Sequence, residues 1–295
     1  MSSKYKMRNN KMATIIDGKR ISGEIRAELA EQTQEFIQNH GITPGLAVII
    51  VGEDPASRVY VRNKHKACAE VGFYSEVHEL AADSSEQQVM DLIDSLNQNA
   101  SIHGILVQLP LPKHLDEQKI LLRIKPEKDV DAFHPYNVGK IMIGDYNVLP
   151  CTPAGVMQLL ARSGVSASGK HCVVIGRSNI VGKPMAMLLL HENGTVTVCH
   201  SRTPDLKAQT LQADILVSAV GRAGFVTADM VKPGAFVIDV GINRDADGKL
   251  CGDVDFVPVS EVASMITPVP GGVGPMTITM LLQNTLSAAK AAIEQ

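Results

Sequence analysis

The segment Gly176-Arg177-Ser178-Asn179-Ile180-Val181-Gly182-Lys183-Pro184 has the composition of a pyrophosphate-binding turn. It follows a short β-branched run over 171–175 that predicts a buried strand, and it precedes an apolar run over 185–190 that predicts a buried helix. A strand, a glycine turn and a helix bring free backbone N–H groups and the positive helix end to one point. The spacing is not G-x-G-x-x-G, because Ser178 stands where the second glycine is expected and the closing glycine is displaced. An ordinary strand-to-helix turn would use the same residue types. The next apolar run, 195–199, ends in His200-Ser201-Arg202-Thr203, which contains no acid. At that point of a dinucleotide fold, Asp or Glu takes the ribose 2′-hydroxyl of NAD, whereas Arg accommodates the 2′-phosphate of NADP. Arg177 and Arg202, with Ser201 beside the latter, therefore favour NADP through charge-assisted forks. Two solvated surface arginines are the plainer alternative.

A second constellation lies upstream. Asp54-Pro55-Ala56-Ser57 reads as a helix start, and Tyr60 and Lys64 follow at i and i+4. That spacing sets a phenol and an amine on one helix face, one turn apart, with Arg62 and Lys66 pointing elsewhere. A half-buried tyrosine and a solvated lysine would show the same spacing.

The elements that must position these groups alternate. The chain of 295 residues is long enough for two cores. In the first stretch, Ile21, Ile25 and Leu29 mark a helix ending near Gly41. A strand is expected at 46–51, a helix at 56–70 closed by Gly72, and a strand at 74–80. A helix to about Asn97 is capped by Ser84 or Ser85, with Gln87 or Gln88 completing a capping box. A strand at 102–108 and a helix at 116–124 come next, then a loop-rich stretch over 125–150. Thr152-Pro153 is expected to open a helix as cap and first residue. In the second stretch, strands at 171–175, 195–199, 214–219 and 235–240 alternate with helices, one of them opened by Thr203-Pro204. A loop at 269–275 precedes a long apolar helix over 276–293. Such alternation predicts an α/β fold with a parallel sheet covered by helices on both faces.

Composition narrows the function classes. A net charge of −3 offers no strongly basic surface to nucleic acid. No apolar run reaches membrane-spanning length. The five cysteines form no C-x-x-C pair, and Cys172 and Cys199 fall inside apolar strands, which points to a reducing, cytoplasmic compartment. The nine histidines show no metal-ligand spacing, so no metal site is expected. Residues 1–11 are polar and basic, without the apolar centre of a signal peptide, and no function is assigned to them.

Five motifs occur in order: Tyr60-Val61-Arg62-Asn63-Lys64, Val107-Gln108-Leu109-Pro110-Leu111-Pro112, Lys128-Asp129-Val130-Asp131, the 176–184 segment, and Pro268-Val269-Pro270-Gly271-Gly272-Val273-Gly274-Pro275-Met276-Thr277. Together they closely resemble the bifunctional methylenetetrahydrofolate dehydrogenase/methenyltetrahydrofolate cyclohydrolase family, from about Ala13 onward. The chain is similar to the short bacterial form, with no formate–tetrahydrofolate ligase domain following. The resemblance implies two α/β lobes with a cleft between them. A folate-binding catalytic lobe over 13–150 would be completed by the helix at 276–295, and a Rossmann-like NADP-binding lobe would span 151–275. It also implies tetrahydrofolate derivatives as substrates, and a homodimer. Lys64 matches the catalytic lysine, Gln108 the residue that orients it, Tyr60 the aromatic that packs on the folate, and Asp131 the carboxylate that pairs with the pterin. Gly176, Arg177 and Ser178 match the phosphate turn, Ser201 and Arg202 the adenosine-phosphate end, and Ile242 a residue beside the nicotinamide. Pro270, Gly271 and Gly272 match a loop lying over both ligands.

One departure is Ala132, where Gly is expected; its methyl is harmless at negative φ and costs about 1 kcal/mol or more at positive φ. Two other readings stay open: a monofunctional dehydrogenase in which Lys64 is idle, and a non-catalytic NADP-binding regulator. Retention of Tyr60, Lys64 and Gln108 together argues against both.

Overall fold

A computed structural model describes residues 12–294, so residues 1–11, to which the sequence assigns no function, lie outside the described residues. In chain order the first elements are β1 (Thr14–Ile15), α1 (Gly18–His40), β2 (Gly45–Val51), α2 (Pro55–Glu70), β3 (Tyr74–Leu80), α3 (Glu86–Gln98), β4 (Gly104–Val107), α4 (Glu117–Leu121) and α5 (Pro135–Ile143). Then come α6 (Cys151–Arg162), β5 (His171–Ile175), α7 (Gly182–His191), β6 (Thr195–Cys199), α8 (Leu206–Thr210), β7 (Ile215–Ser218) and β8 (Phe236–Asp239). The chain continues through β9 (Asn243–Arg244), β10 (Leu250–Cys251), α9 (Phe256–Ser260) and β11 (Met265–Ile266) to α10 (Val273–Ala292).

Local chemistry sets the ends of these elements. The Asp17 carboxylate accepts from Arg20 N at the start of α1, and Gly41 ends the helix at φ 67°. Ser85 and Gln88 form the reciprocal capping box of α3 that the sequence predicts. All seven residues of β2 are buried, as befits a central parallel strand covered on both faces.

Among the described residues the strands form two parallel sheets and a small β9–β10 hairpin. The smaller sheet runs β3-β2-β4, and the larger runs β1-β11-β8-β7-β5-β6. Thr14 and Ile15, early in the chain, thus pair with Met265 and Ile266 in the larger sheet and not in the smaller one. One apolar cluster joins the lobes, running from Ile21 and Leu46 through Leu159 and Leu282 to Val174 and Ile238. Val173 and Ile175 face the opposite way into a second cluster, following the two-residue side-chain period of a strand. Helix α10 packs against α1 and α6 and reaches α2 and β4. The Ser22 and Thr279 hydroxyls meet at 2.8 Å, and Asn284 Nδ2 donates to Val130 O at 2.8 Å and Leu149 O at 2.6 Å.

Four expectations are corrected. The stretch over 125–150 contains a helix, α5, capped by the His134 ring and closed by Gly144 at φ 80°. Helix α6 begins at Cys151 behind Pro150, without a side-chain cap, so Thr152 and Pro153 lie inside its first turn. A proline in that turn loses only an N–H that would be unpaired anyway. Helix α8 begins at Leu206, because the Asp205 carboxylate accepts from Ala208 N and outcompetes Thr203 as a cap. The helix expected at 116–124 spans only Glu117–Leu121.

Candidate active site

Lys64 sits on α2 with only 9% of its surface exposed, whereas Tyr60, one turn earlier, is 44% exposed. The two thus divide their helix face, the amine going inward and the ring toward solvent. Lys64 Nζ donates to Gln108 Oε1 at 2.9 Å. Gln108 directly follows β4 and is fixed in turn, its Nε2 donating to Leu109 O at 2.8 Å. Burial holds the Lys64 amine below the ordinary lysine range, and the negative charge of Asp131 opposes that shift. The Asp131 carboxyl is pushed up to about 6 by burial, with Lys64 pulling it the other way. Cys151 Sγ lies 3.6 Å from Asp131 Oδ1.

These groups line a cavity of about 200 Å³ whose walls come from both lobes. Lys64, Gln108, Asp131, Cys151 and Thr152 line it together with Ile180 and Val181 of the glycine turn. Thr277, in the first turns of α10, also lines it. The loop before α10 is pressed onto α1: a Cβ on Gly18 would stand 1.8 Å from Gly272 O. In that loop Pro270 is exposed after a cis peptide bond, Gly271 has φ 106°, and Gly272 is buried. A larger cavity, about 1050 Å³, opens at the amino ends of β2, β3 and β4, at the opposite end of the small sheet from Gln108.

Ala132 is fully buried at φ 57°, so the position does require the left-handed conformation expected of glycine. Returning glycine relieves roughly 1 kcal/mol of backbone strain but gives up about 0.8 kcal/mol of methyl burial and adds unfolded-state entropy. The expected net change for Ala132→Gly is below about 1 kcal/mol, measured by urea unfolding. A loss above about 2 kcal/mol would mean that methyl packing dominates the site.

The second group of residues lies along the carboxyl edge of the larger sheet. Gly176 follows β5 at φ 129°, and a Cβ there would meet Ala219 O at 2.4 Å. A Cβ on Gly182 would meet Gly176 O at 2.2 Å. Only glycine allows the turn to fold back this tightly. Ser178 Oγ accepts from Val181 N at 3.1 Å and Gly182 N at 3.3 Å, so its hydroxyl helps close the turn. Arg177 and Ser178 after β5, and Ser201 and Arg202 after β6, are all exposed at the ends of paired strands. Ile242, after β8, is 55% exposed at the same edge. The geometry therefore gathers Lys64, Gln108 and Asp131 around one cavity and leaves the cofactor-side residues spread over three strand ends.

Residues 16–131 match the tetrahydrofolate dehydrogenase/cyclohydrolase catalytic domain, and residues 150–293 match the NAD(P)-binding domain of the same enzymes. The chain belongs to the tetrahydrofolate dehydrogenase/cyclohydrolase family. A relative called bifunctional protein FolD, from Magnetococcus marinus, is 60% identical over 281 residues, covering 95% of this chain and 99% of the relative. The crystal structure of bifunctional FolD from Campylobacter jejuni superposes with a TM-score of 0.92 at 51% identity, covering 95% of this chain and 99% of that one. FolD from Trypanosoma brucei, solved with NADP and an inhibitor, gives a TM-score of 0.91 at 43% identity, with 97% and 100% covered.

Several further residues, whose roles are not legible in the sequence, position these groups. Asp129 accepts from His134 N at 2.8 Å and Asn137 Nδ2 at 3.0 Å, holding the loop that carries Asp131. Asn284 on α10 grips Val130 O, next to Asp131. In the cofactor half, the Asp239 and Asp253 side chains are buried. The available signal was an acid near a glycine, in Asp239-Val240-Gly241 and Gly252-Asp253. No group of His, Cys, Asp and Glu that could hold a metal occurs among the described residues.

Proposed function

We propose that the chain oxidises 5,10-methylenetetrahydrofolate to 5,10-methenyltetrahydrofolate with NADP, and hydrolyses that product to 10-formyltetrahydrofolate in the same cleft. The observation that carries this reading is the buried Lys64–Gln108 pair opening onto a cavity that the glycine turn also lines. The cavity is smaller than the roughly 300–1,000 Å³ of a typical ligand pocket, which suits the reacting head of a folate with the rest in the open cleft. The close glycine turn and the open arginines at neighbouring strand ends fit a dinucleotide phosphate. When bound, NADP supplies the hydride acceptor.

The oxidation produces a resonance-stabilised amidinium and releases no proton, so it needs alignment and not a base. Asp131 accepts from the pterin N–H and amino groups, and Tyr60 packs against the ring system. Pro270, Gly271 and Gly272 border both ligands. Ring opening requires proton transfer. The desolvated Lys64 amine, held by Gln108, takes a proton as water adds to the bridge carbon and returns it to the departing ring nitrogen, while the hydroxyl proton of the adduct passes to solvent as the formyl carbonyl forms. The expected division into 13–150 with the C-terminal helix, and 151–275, shifts at its start: the folate lobe begins after β1, because Thr14 and Ile15 pair in the larger sheet. The homodimer implied by the resemblance has an open sheet edge available at β3. No helix among the described residues is long and apolar enough to cross a membrane, and the five free cysteines suit the reducing cytoplasm.

Purified protein assayed for methenyltetrahydrofolate formation and for its hydrolysis tests the whole reading. Hydride transfer without hydrolysis would leave the monofunctional alternative, and neither activity would leave the regulator. Arg177 and Arg202 are expected to favour NADP over NAD by at least tenfold in kcat/KM. The double variant Arg177→Ala, Arg202→Ala should lose most of that preference while NAD-dependent turnover changes little. Steady-state kinetics with both cofactors decide it; equal losses would put the arginines on the shared pyrophosphate.

A further inference from the structure

Strands β7 and β8 end at Ser218 and Asp239, on the carboxyl edge where open parallel sheets bind ligands. With the phosphate turn after β5 and the adenosine end after β6, the rest of a dinucleotide must extend the other way. That direction leads over β7 and β8. The loops following these two strands are therefore the ones that border the nicotinamide. Asp253, fully buried, fastens both. Its Oδ2 accepts from Ser218 Oγ at 3.2 Å, Val220 N at 2.7 Å and Gly221 N at 3.3 Å. Its Oδ1 accepts from Arg222 N and from Asn243 Nδ2, each at 2.9 Å.

Asp253 is itself seated on Asp239. Asp239 Oδ1 accepts from Gly241 N and Asp253 N, and its Oδ2 from Val254 N, all at 2.9 Å. The fit leaves no slack: a Cβ on Gly241 would lie 2.2 Å from Asp253 Oδ1, and one on Gly252 would lie 1.9 Å from Asp239 Oδ2. Ile242 is thus held from both sides, through Gly241 N by Asp239 and through the Asn243 amide by Asp253. The β7 loop also abuts the phosphate turn, since Ala219 O occupies the space a Cβ on Gly176 would need. None of these residues lines the Lys64 cavity.

We propose that Asp253, braced by Asp239, is a positioning residue for hydride transfer alone: it fixes the two loops that border the nicotinamide and leaves ring opening untouched. The inference rests on the bifunctional reading. It also explains how a single folate site can serve two reactions with different tolerances. Hydride transfer depends on the loops that Asp253 ties, whereas hydrolysis depends on Lys64 in the other lobe.

The test compares Asp253→Asn and the milder Asn243→Ala with wild type. An amide at 253 keeps the volume but turns a donor group toward backbone N–H groups that need an acceptor. Dehydrogenase kcat is expected to fall at least thirtyfold in Asp253→Asn and about fivefold in Asn243→Ala, with the KM for NADP changing less than kcat. Cyclohydrolase kcat should stay within about threefold of wild type in both. The deuterium isotope effect on the methylene hydrogen should rise as hydride transfer becomes limiting. If Asp253→Asn does not fold, Asn243→Ala carries the test, because it removes a single arm. Parallel loss of both activities, or unchanged dehydrogenase kcat in Asn243→Ala, overturns the positioning role. Wild-type protein without dehydrogenase activity would instead refute the bifunctional reading.

Discussion

Replacing Lys64 by Met is expected to lower the rate of methenyltetrahydrofolate hydrolysis by at least a hundredfold while hydride transfer survives within about tenfold of wild type. The asymmetry follows from the chemistry, since only ring opening moves a proton. Met keeps the unbranched stem of Lys64 in its buried channel, so the fold should persist. The variant removes the amine that Gln108 holds at 2.9 Å and whose proton affinity burial lowers. In wild-type protein the hydrolysis rate should therefore rise with pH along an ionisation below 10.5, the ordinary lysine value. That limb should be absent from whatever activity the variant retains. Stopped-flow absorbance of methenyltetrahydrofolate decay measures both effects. Hydrolysis at near wild-type rate would exclude Lys64 as the base.

Much of the scaffold is legible in the sequence because the decisive signals are local. The β-branched runs of β2, β5 and β6, the capping box of α3 and the glycine that ends α1 each act within a few residues. Helix α5 escaped because it is anchored by polar burial: Asn137 reaches Asp129, and with Ile141 it makes up the buried residues of that helix. A pattern built on apolar periodicity cannot detect such an anchor. The site shows the same limit. The four-residue spacing placed Tyr60 and Lys64 on one face but could not say which would be buried. The Lys64–Gln108 bond spans 44 positions, and Asp253 reaches 33 positions back to Val220. Contacts at that range exist only once the parallel sheets have brought strand ends together. The motif resemblance singles out Lys64 and Gln108 but says nothing of Asp253, and the geometry supplies the reason each is held where it is.

Asp131→Ala is expected to cost both activities about 2–5 kcal/mol of folate binding, roughly thirtyfold to several thousandfold, because both reactions use one folate site. The loss comes from leaving the pterin N–H and amino donors unmatched in a buried site. Stability should move the other way. The Asp131 carboxyl is raised by burial from 3.8 to about 6, so its ionisation opposes folding. The stability it contributes is complete below pH 3.8 and is lost as pH rises through about 6. At pH 8 the isosteric Asp131→Asn should therefore be more stable than wild type by about 1–3 kcal/mol, and that advantage should vanish near pH 4. Calorimetric folate affinity and urea unfolding at the two pH values read the two effects separately. Weaker binding together with higher stability at pH 8 is the signature of a carboxylate kept for its ligand. Unchanged affinity with lower stability would make Asp131 a structural residue and move pterin recognition elsewhere in the cleft.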